Sequence, residues 1–558
     1  MRRSSTSNQT VLEAQSSQQN QLNNLMAPDH WLAQEGEGRS KASNKLVRNG
    51  HALATTLLAA TLALTGCGSD DTKSSSSADI NLSNHLNNSA TSTGQEVERQ
   101  GIWYAPEEGS LVIISSDSLT AYDLVGDYCQ WVDEMSPEDM DLDEWQLSED
   151  GKTMEQTFTA YGVTLSEFRL NKLETLPEAC NSEHVIAQIG EADYEADALR
   201  DFEIFYQTFE HFYPSFEQRG VDWAATRAEL ETSLSLTSNS DNDDLLQALS
   251  SMIYPLKDSH VEVSLNAISS GFTDERTLYN RLAAEFESLH GTINSDEQFI
   301  AFQNYYGQQL ELLNQLRFQY ASSDIEQAAN DQISWYTTNM NGENIGVLII
   351  DAMIGFSQDS DDWENEDLDS NLQLEEFAAL NSAMQQAISD LADTDGLIVD
   401  VRLNGGGLTG ADRLIASYFL DTERDLYQQR LKYGDEQSDW TVEHMAPADI
   451  SYLKPVVLLI SANSISAAET FALAMRELPQ VTLMGEATQG ALSDILSKEL
   501  PGGIEFDLIN QTVQSMSGEW FEGLGVPVDI EVEYATLDNR SDETDAGLEA
   551  AWALLTSE

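Results

Sequence analysis

Residues 397–410 read LIVDVRLNGGGLTG, a mostly apolar run that ends in a cluster of glycines. A short apolar run bounded by glycines predicts a buried strand that turns sharply into the next element. The chain on either side repeats the pattern, because strand-like runs alternate with helical periodicity. The strand-like runs are 345–350, 456–460 and 481–484, and the helical segments are 374–391, 411–420 and 466–478. This alternation predicts an α/β domain with a largely parallel sheet.

Parallel sheets bind ligands at the carboxyl ends of their strands, and two loops are expected there. The first carries Gly405, Gly407 and Gly410 in the spacing of a dinucleotide-binding fingerprint. That interpretation requires a second parallel strand ending in an acidic residue, whereas residues 421–440 read as polar and irregular. The other use of such a loop is an oxyanion hole, because glycines let backbone N–H groups point at a developing negative charge.

The second loop reads NSISAAE at residues 463–469 and leads into a helix. Ser466 and Glu469 have the spacing of a capping box, which by itself favours a structural role. A serine at a helix N-terminus also lies close to amides that can hold an oxyanion, but as a nucleophile it requires a base. Ser464 is a second hydroxyl in the same loop.

His260 has the most informative context of the eight histidines. It lies in LKDSHVEV at residues 256–263, where helical periodicity changes to a strand-like run. The other histidines lie in the N-terminal region, at a domain edge, in an aromatic helix or in polar surroundings. His260 is therefore the candidate base for Ser466.

Together these segments resemble the tail-specific (C-terminal processing) and tricorn-core family of serine peptidases. The resemblance runs from about residue 195 to 535 and rests on four motifs in the family's order. They are Asp400-x-Arg402-x-Asn404-x-Gly406-Gly407, Asn463-x-x-Ser466-Ala-Ala-Glu469, Gly485-Glu486-x-Thr488-x-Gly490 and Phe521-Glu522-x-x-Gly525-Val526-x-x-Asp529-Ile530. The resemblance implies a crotonase/ClpP-like superhelical fold for the catalytic domain.

Two catalytic arrangements occur in this family. One pairs the serine with a lysine directly after the Gly-Glu-x-Thr-x-Gly turn, but this chain has Ala491 there and its next lysine is Lys498. The other, known from tricorn, uses an Asp-x-His segment and a late glutamate. Residues 258–260 and Glu522 match the second arrangement, so a Ser-His-Glu peptidase is implied.

The resemblance also implies a role for each site residue. Ser466 attacks the peptide carbonyl, and His260 takes its proton and returns it to the leaving amine. Glu522 orients His260 through Ser259. The amides of Gly406 and Ala467 form the oxyanion hole. Asp400 and Arg402 hold the glycine loop by an ion pair, and no metal or cofactor is required.

The N-terminal region predicts export. A basic run at residues 39–48 precedes an uncharged apolar stretch, HALATTLLAATLAL, at 51–64. The stretch is too short for a comfortable membrane span but fits a signal-peptide core. Residues 64–67 (LTGC) resemble the bacterial lipoprotein signal box, which implies that Cys67 is lipidated. The alternative is an ordinary signal peptide with a chance cysteine, and Met26 is a candidate true start.

Cysteine use and composition define the remaining organisation. With Cys67 lipidated, Cys129 and Cys180 are left as a pair, and export favours a disulfide over two buried thiols. We predict a leader at 1–67, a tether at 68–97, a small β-rich domain at 98–190, a helical region carrying His260 at 191–340, the α/β catalytic domain at 341–540 and a tail at 541–558.

A net charge of −69 repels phosphate and so argues against a nucleic-acid partner. The sequence therefore predicts a bacterial serine peptidase, anchored by lipid in the cell envelope, most plausibly in the outer membrane. Its expected partners are a peptide or protein substrate and the membrane. Two alternatives stay open: a non-catalytic ligand- or peptide-binding module on the same fold, and a dinucleotide-dependent oxidoreductase.

Overall fold

The computed structural model describes residues 99–136, 145–181, 184–233, 236–266, 268–340, 342–357 and 370–557. The predicted leader, lipid attachment at Cys67 and tether lie outside these residues. Within the described ranges, no helix combines the length and apolarity that a bilayer crossing demands.

The chain first forms an antiparallel sheet of seven strands in the order β4-β3-β2-β1-β7-β6-β5. One face is closed by large apolar side chains, among them Trp103 and Trp145. A disulfide joins Cys129 to Cys180 against the other face. The strands are β1 (Gly101–Ala105), β2 (Ser110–Ile114), β3 (Leu119–Val125), β4 (Tyr128–Met135), β5 (Gln146–Leu147), β6 (Thr153–Ala160) and β7 (Val163–Leu173).

Helices follow the first sheet. Aromatic residues at helical spacing bury one side of the first of them, around Phe205 and Phe209. The helices are α1 (Ala198–Phe212), α2 (Trp223–Ser233), α3 (Asn242–Ile253), α4 (Leu278–His290) and α5 (Asp296–Phe318).

The prediction that 191–340 is a helical region is only partly right, because four strands interrupt it. They are β8 (Glu262–Leu265), β9 (Ile268–Gly271), β10 (Glu326–Ala328) and β11 (Ile333–Met340). The last of these is rich in aromatic and β-branched side chains, and it pairs along its whole length with the next strand.

The central sheet has the order β10-β11-β12-β13-β17-β18-β22. Its strands from β12 to β22 are parallel, and β10 to β12 are antiparallel. These strands are β12 (Glu343–Ile350), β13 (Gly396–Asp400), β17 (Val456–Ile460), β18 (Val481–Gly485) and β22 (Ile530–Glu531). The predicted α/β class with a largely parallel sheet is thus confirmed.

Helices cover both faces of this sheet, so its central strands are buried on both sides. The helices α6 (Ser370–Asp390), α7 (Ala411–Ser417) and α8 (Ala467–Arg476) pack in the larger core. Trp552 and Leu548 pack against the opposite face. Both residues belong to α10 (Ala546–Leu555), which follows the short helix α9 (Leu537–Ser541).

Two smaller sheets complete the fold. In one, β14 (Arg424–Tyr433) pairs with β15 (Glu436–Gln437), β16 (Thr441–Met445) and β21 (Gln511–Ser515). The expectation that 421–440 is irregular is therefore wrong: its polar side chains sit on a long, half-buried antiparallel strand. In the other, β19 (Ile495–Glu499) and β20 (Glu505–Ile509) continue into β8 and β9. This second sheet joins the His260 segment to the catalytic domain.

Candidate active site

The two predicted loops meet at the carboxyl edge of the parallel sheet, since β13 and β17 are neighbours. Asn404 joins the two loops, because its main-chain carbonyl accepts from the Ile465 N–H, 3.1 Å. Its side-chain Nδ2 donates to the Ile350 carbonyl at the end of β12, 3.0 Å. Gly406 has a positive φ of 92°, and a Cβ there would lie 2.7 Å from Ser466 Cβ. A side chain at Gly406 would therefore push the loops apart.

Ser466 lies between β17 and α8, where it caps the helix. Its φ of 56° and ψ of −125° form a conformation that residues other than glycine rarely adopt. The Ser466 N–H is fixed by the Ala491 carbonyl, 3.1 Å, and by Glu469 Oε2, 3.2 Å. Strain of this kind persists only where its surroundings enforce it, and it clusters at functional sites.

Glu469 acts as a buried anchor for the neighbouring turn. Its carboxylate accepts from the Gly490 N–H, 2.6 Å, the Ala491 N–H, 2.8 Å, and the Thr488 hydroxyl, 2.6 Å. Burial raises the pKa of Glu469 to about 7 against these donors. With the Ser466 N–H included, the carboxylate joins the nucleophile loop to residues 488–491, which is the structural role its spacing predicts.

The second hydroxyl of the loop has a different place. Ser464 is fully buried, and its Oγ donates to the Val401 carbonyl, 2.7 Å, while accepting from the Ser461 N–H, 3.1 Å. Because Ser464 is committed to tying β17 to β13, Ser466 is the nucleophile candidate in this loop.

His260 is buried at the start of the segment that leads into β8. Its Nδ1 lies 2.7 Å from the Ser493 carbonyl oxygen. A carbonyl can only accept, so Nδ1 carries the proton and Nε2 keeps the lone pair that a base needs. Burial lowers the pKa of His260, which favours this neutral form.

Glu522 is fully buried on the far side of the same residue, Ser493. Its Oε2 lies 3.1 Å from Ser493 Oγ and accepts from the Leu492 N–H at 3.1 Å. Ser493 thus contacts Glu522 with its hydroxyl and His260 with its carbonyl. The hydroxyl has a single proton and is also 3.0 Å from the Gln511 carbonyl, so only one of these oxygens can accept it at a time.

The intermediary between Glu522 and His260 differs from the one implied by the family resemblance. Ser259 makes no hydrogen bond to either residue within the described part of the chain, whereas Ser493 contacts both. The reason is the direction of the loop: Asp258 accepts from the His260 N–H, 3.1 Å, and points inward in place of Ser259. Ser493, and not Ser259, therefore lies between Glu522 and His260.

The implied oxyanion hole also needs a correction. The Gly406 N–H donates to Asn404 Oδ1 at 2.8 Å, so its only hydrogen is already engaged. The Ala467 N–H has no acceptor among the residues described, and neither does the N–H of Gly407, the next peptide along the loop. The Ala467 N–H is therefore available as a donor, whereas the Gly406 N–H is not.

Sequence reasoning missed the cation beside Glu522. Arg219 Nη2 lies 2.9 Å from Glu522 Oε1 and 3.1 Å from Asp258 Oδ2, and all three side chains are almost fully buried. Tyr213 donates from its hydroxyl to Asp258 Oδ2, 2.7 Å. No motif marks Arg219; the available signal is a lone basic residue in the turn after an aromatic helix of a very acidic chain.

The glycine loop is held from outside the site by a second buried ion cluster. Arg402 contacts both Asp400 oxygens at 2.7 and 2.9 Å, as the predicted ion pair requires. It also binds both oxygens of Asp545, each at 2.8 Å. Asp545 caps α10, so the C-terminal helix is tied directly to the glycine loop.

Residues 371–532 match the family model described as Peptidase family S41. This segment is similar to the peptidases of family S41. The matched stretch includes the glycine loop, Ser466 and Glu522, while His260 and Arg219 lie before it. Serine-type peptidases of this family, including the carboxy-terminal processing proteases, are thus what the domain is similar to.

Two relatives illustrate this similarity. The chain is 26% identical over 171 residues to the carboxy-terminal processing protease CtpA of Bacillus subtilis, and 29% identical over 160 residues to a carboxy-terminal-processing protease of Bartonella bacilliformis. The matches cover 30% and 27% of this chain, and the chain spans 36% of the length of each relative.

A solved structure extends the likeness of the fold. A candidate peptidase from Parabacteroides merdae superimposes with a TM-score of 0.51 at 20% identity. The superposition covers 65% of this chain and 98% of that one, so the shared fold reaches well beyond the S41 domain itself.

Proposed function

We propose that this chain is a serine peptidase that hydrolyses peptide bonds by a Ser-His-Glu mechanism. The observation that carries the proposal is the conformation of Ser466. This serine is held at a positive φ at the N-terminus of a helix, directly against a glycine loop and next to an amide with no acceptor in the described part of the chain.

In the proposed reaction, Ser466 Oγ attacks the peptide carbonyl while His260 Nε2 accepts its proton. The Ser493 carbonyl fixes the tautomer that makes Nε2 the acceptor. The imidazolium then protonates the leaving amine, and water repeats the attack on the acyl-enzyme. Glu522, reaching His260 through Ser493, stabilises the transient positive charge.

The negative charge of the tetrahedral intermediate would be held by backbone donors. The Ala467 N–H and the Gly407 N–H are the two amides that we assign to this task. Ala467 is the first residue of α8, so the positive end of the helix dipole adds to the stabilisation.

We infer the substrates and the location from similarity and from the leader. Two relatives are named carboxy-terminal processing proteases, so carboxy-terminal or unfolded segments are the proposed substrates. The proposal includes a lipid anchor at Cys67, a position in the bacterial cell envelope and a crotonase/ClpP-like superhelical fold for the catalytic domain. It also includes the six-part division of the chain, with residues 191–340 as a mixed region of helices and strands.

The proposal is tested by incubating the full chain and its Ser466→Ala variant with a mixed peptide pool. Fragments are identified by mass spectrometry. We expect cleavage by the wild type and a loss of at least about 10³-fold in the variant, because the attacking hydroxyl is gone. The matched control is Ser464→Ala, which removes the neighbouring hydroxyl.

Cleavage that persists in Ser466→Ala would overturn the assignment of the nucleophile. No cleavage by a folded wild type would instead favour the non-catalytic binding module.

A further inference from the structure

Arg219 joins parts of the site that are far apart in the sequence. Its guanidinium contacts Glu522 Oε1 at 2.9 Å and Asp258 Oδ2 at 3.1 Å through the same nitrogen, Nη2. The other terminal nitrogen, Nη1, donates to the Lys257 carbonyl at 2.7 Å. One buried side chain therefore holds both the segment that carries His260 and the late glutamate.

The same guanidinium reaches toward the nucleophile. Arg219 Nη2 also donates to the Gly490 carbonyl at 3.3 Å. The N–H of Gly490 is bound by Glu469, which in turn binds the Ser466 N–H. Three hydrogen bonds, through Gly490 and Glu469, thus connect Arg219 to the backbone of Ser466.

The neighbouring segment strengthens this arrangement. Gln218 Nε2 donates to the Glu522 carbonyl at 2.5 Å, so adjacent side chains hold both the main chain and the carboxylate of residue 522. The main chain of Arg219 is fixed as well, because its backbone N–H donates to the Ser215 carbonyl at 2.9 Å.

The positive charge of Arg219 also affects the pKa of Glu522. The charged groups facing Glu522 are Asp258, Arg219 and Glu469. Burial raises the pKa of Glu522, and the two carboxylates raise it further, while Arg219 alone among these groups lowers it. Removing the cation would leave the buried carboxylate of Glu522 without its compensating charge, and the pKa of Glu522 would rise further.

We propose that Arg219 is a positioning residue that favours the charged form of Glu522 through its ion pair and holds the His260 segment, the Gly490 turn and Glu522 in one arrangement. The inference rests on the proposed function, in which ionised Glu522 supports His260. An arginine suits this position better than a lysine, because its planar fork donates in several directions at once.

The test compares wild type with Arg219→Gln and Arg219→Lys, using kcat/KM for a cleaved peptide as a function of pH. For Arg219→Gln we expect about a 100-fold loss at neutral pH and an acid limb displaced upward by at least about one pH unit. Arg219→Lys keeps the positive charge but loses the planar guanidinium, which donates to several acceptors at once. We therefore expect about a 10-fold loss with an unshifted acid limb.

A purely structural role predicts a different result. Both variants would then lose activity evenly at every pH, and an unshifted limb in a folded Arg219→Gln protein overturns the proposal. Near-ultraviolet circular dichroism checks the fold of each variant.

If Arg219→Gln alone does not fold, the double variant Arg219→Gln/Glu522→Gln removes the carboxylate that was left unpaired. Its activity should lie within about threefold of Glu522→Gln alone, because the two residues act as a unit. A loss well beyond threefold relative to Glu522→Gln would contradict the proposal.

A second readout does not depend on peptidase activity. Infrared spectroscopy detects the C=O stretch of a protonated carboxyl group. In the Ser466→Ala background, Arg219→Gln should shift the disappearance of this band to a higher pH, and Glu522→Gln should remove the band. An unshifted band overturns the inference even if no substrate is ever cleaved, so its failure can be told apart from failure of the proposed function.

Discussion

The two halves of the site are built in different ways. The nucleophile half, residues 400–410 and 461–469, consists of two loops that follow neighbouring parallel strands. The base half consists of Arg219, residues 256–260, Ser493 and Glu522, and it is assembled by side-chain contacts across the chain. His260 and Ser493 are 233 residues apart, and Arg219 and Glu522 are 303 apart.

This difference explains what each half depends on. Strand pairing fixes the nucleophile half, because the loops leave the sheet at the same edge. A few buried polar contacts fix the base half, and each of them is costly to lose since its partner is left unsatisfied. Substitutions in the base half should therefore change both activity and its pH dependence.

The largest effect in the base half is expected for His260→Ala. Loss of the general base should lower kcat/KM for peptide cleavage by about 10³-fold. The matched control is His444→Ala, since His444 is exposed on β16 and outside the site. If the two variants were equally active, His260 would not take part in catalysis. The contrast between the nucleophile half and the base half would then fail.

The next effect concerns Glu522 and pH. In the proposed mechanism, activity requires neutral His260 and ionised Glu522. Burial lowers the pKa of His260 and raises that of Glu522, so the neutral imidazole persists to more acidic pH than the carboxylate does. Activity should thus be lost, as pH falls, through the range in which Glu522 takes up a proton.

Glu522→Gln tests this assignment of the acid limb. We expect kcat/KM to fall by about 10- to 100-fold at alkaline pH and the limb to flatten, because the group that titrates there has been removed. An acid limb that stays in place in Glu522→Gln would show that another group causes it.

The smallest effect on activity is expected at the N-terminal sheet. Cys129→Ser/Cys180→Ser opens a disulfide that spans 51 residues, and chain entropy alone associates such a loop with about 4 kcal/mol. Denaturant unfolding of this sheet should be weakened by about 2 to 4 kcal/mol, while kcat/KM changes less than about twofold.

Reduced wild type should behave in the same way as the double serine variant. If activity fell together with stability, the N-terminal sheet would support the site. The contact that would carry this support is the hydrogen bond from Arg413 on α7 to the Thr164 carbonyl, 2.9 Å.

The sequence allowed the nucleophile half to be predicted almost completely. Its strands are short apolar runs, its loops have distinctive glycines and a serine at a helix start, and all of these signals are local. The Gly406 amide was the exception, because a residue type does not reveal that the side chain of Asn404 takes its hydrogen.

The base half was predicted only in part. His260 and Glu522 could be named from their motifs, but the link between them could not. Ser493 and Arg219 are brought to the site by β19 and by the turn after α1, and only the folded chain shows that they meet Glu522. The strand over 424–433 was missed for a related reason, since its polar residues are stabilised by pairing with β16 and β21.

The central claim is that the two halves form one catalytic site, with Ser466 activated by His260. The most direct measurement is covalent labelling with a fluorophosphonate, followed by mapping of the modified residue by mass spectrometry. Such a probe reacts with serines activated by a neighbouring base. We predict a label on Ser466 in the wild type and none on it in His260→Ala. A label on Ser464, an equal label in both proteins or no label on the folded wild type would contradict the account.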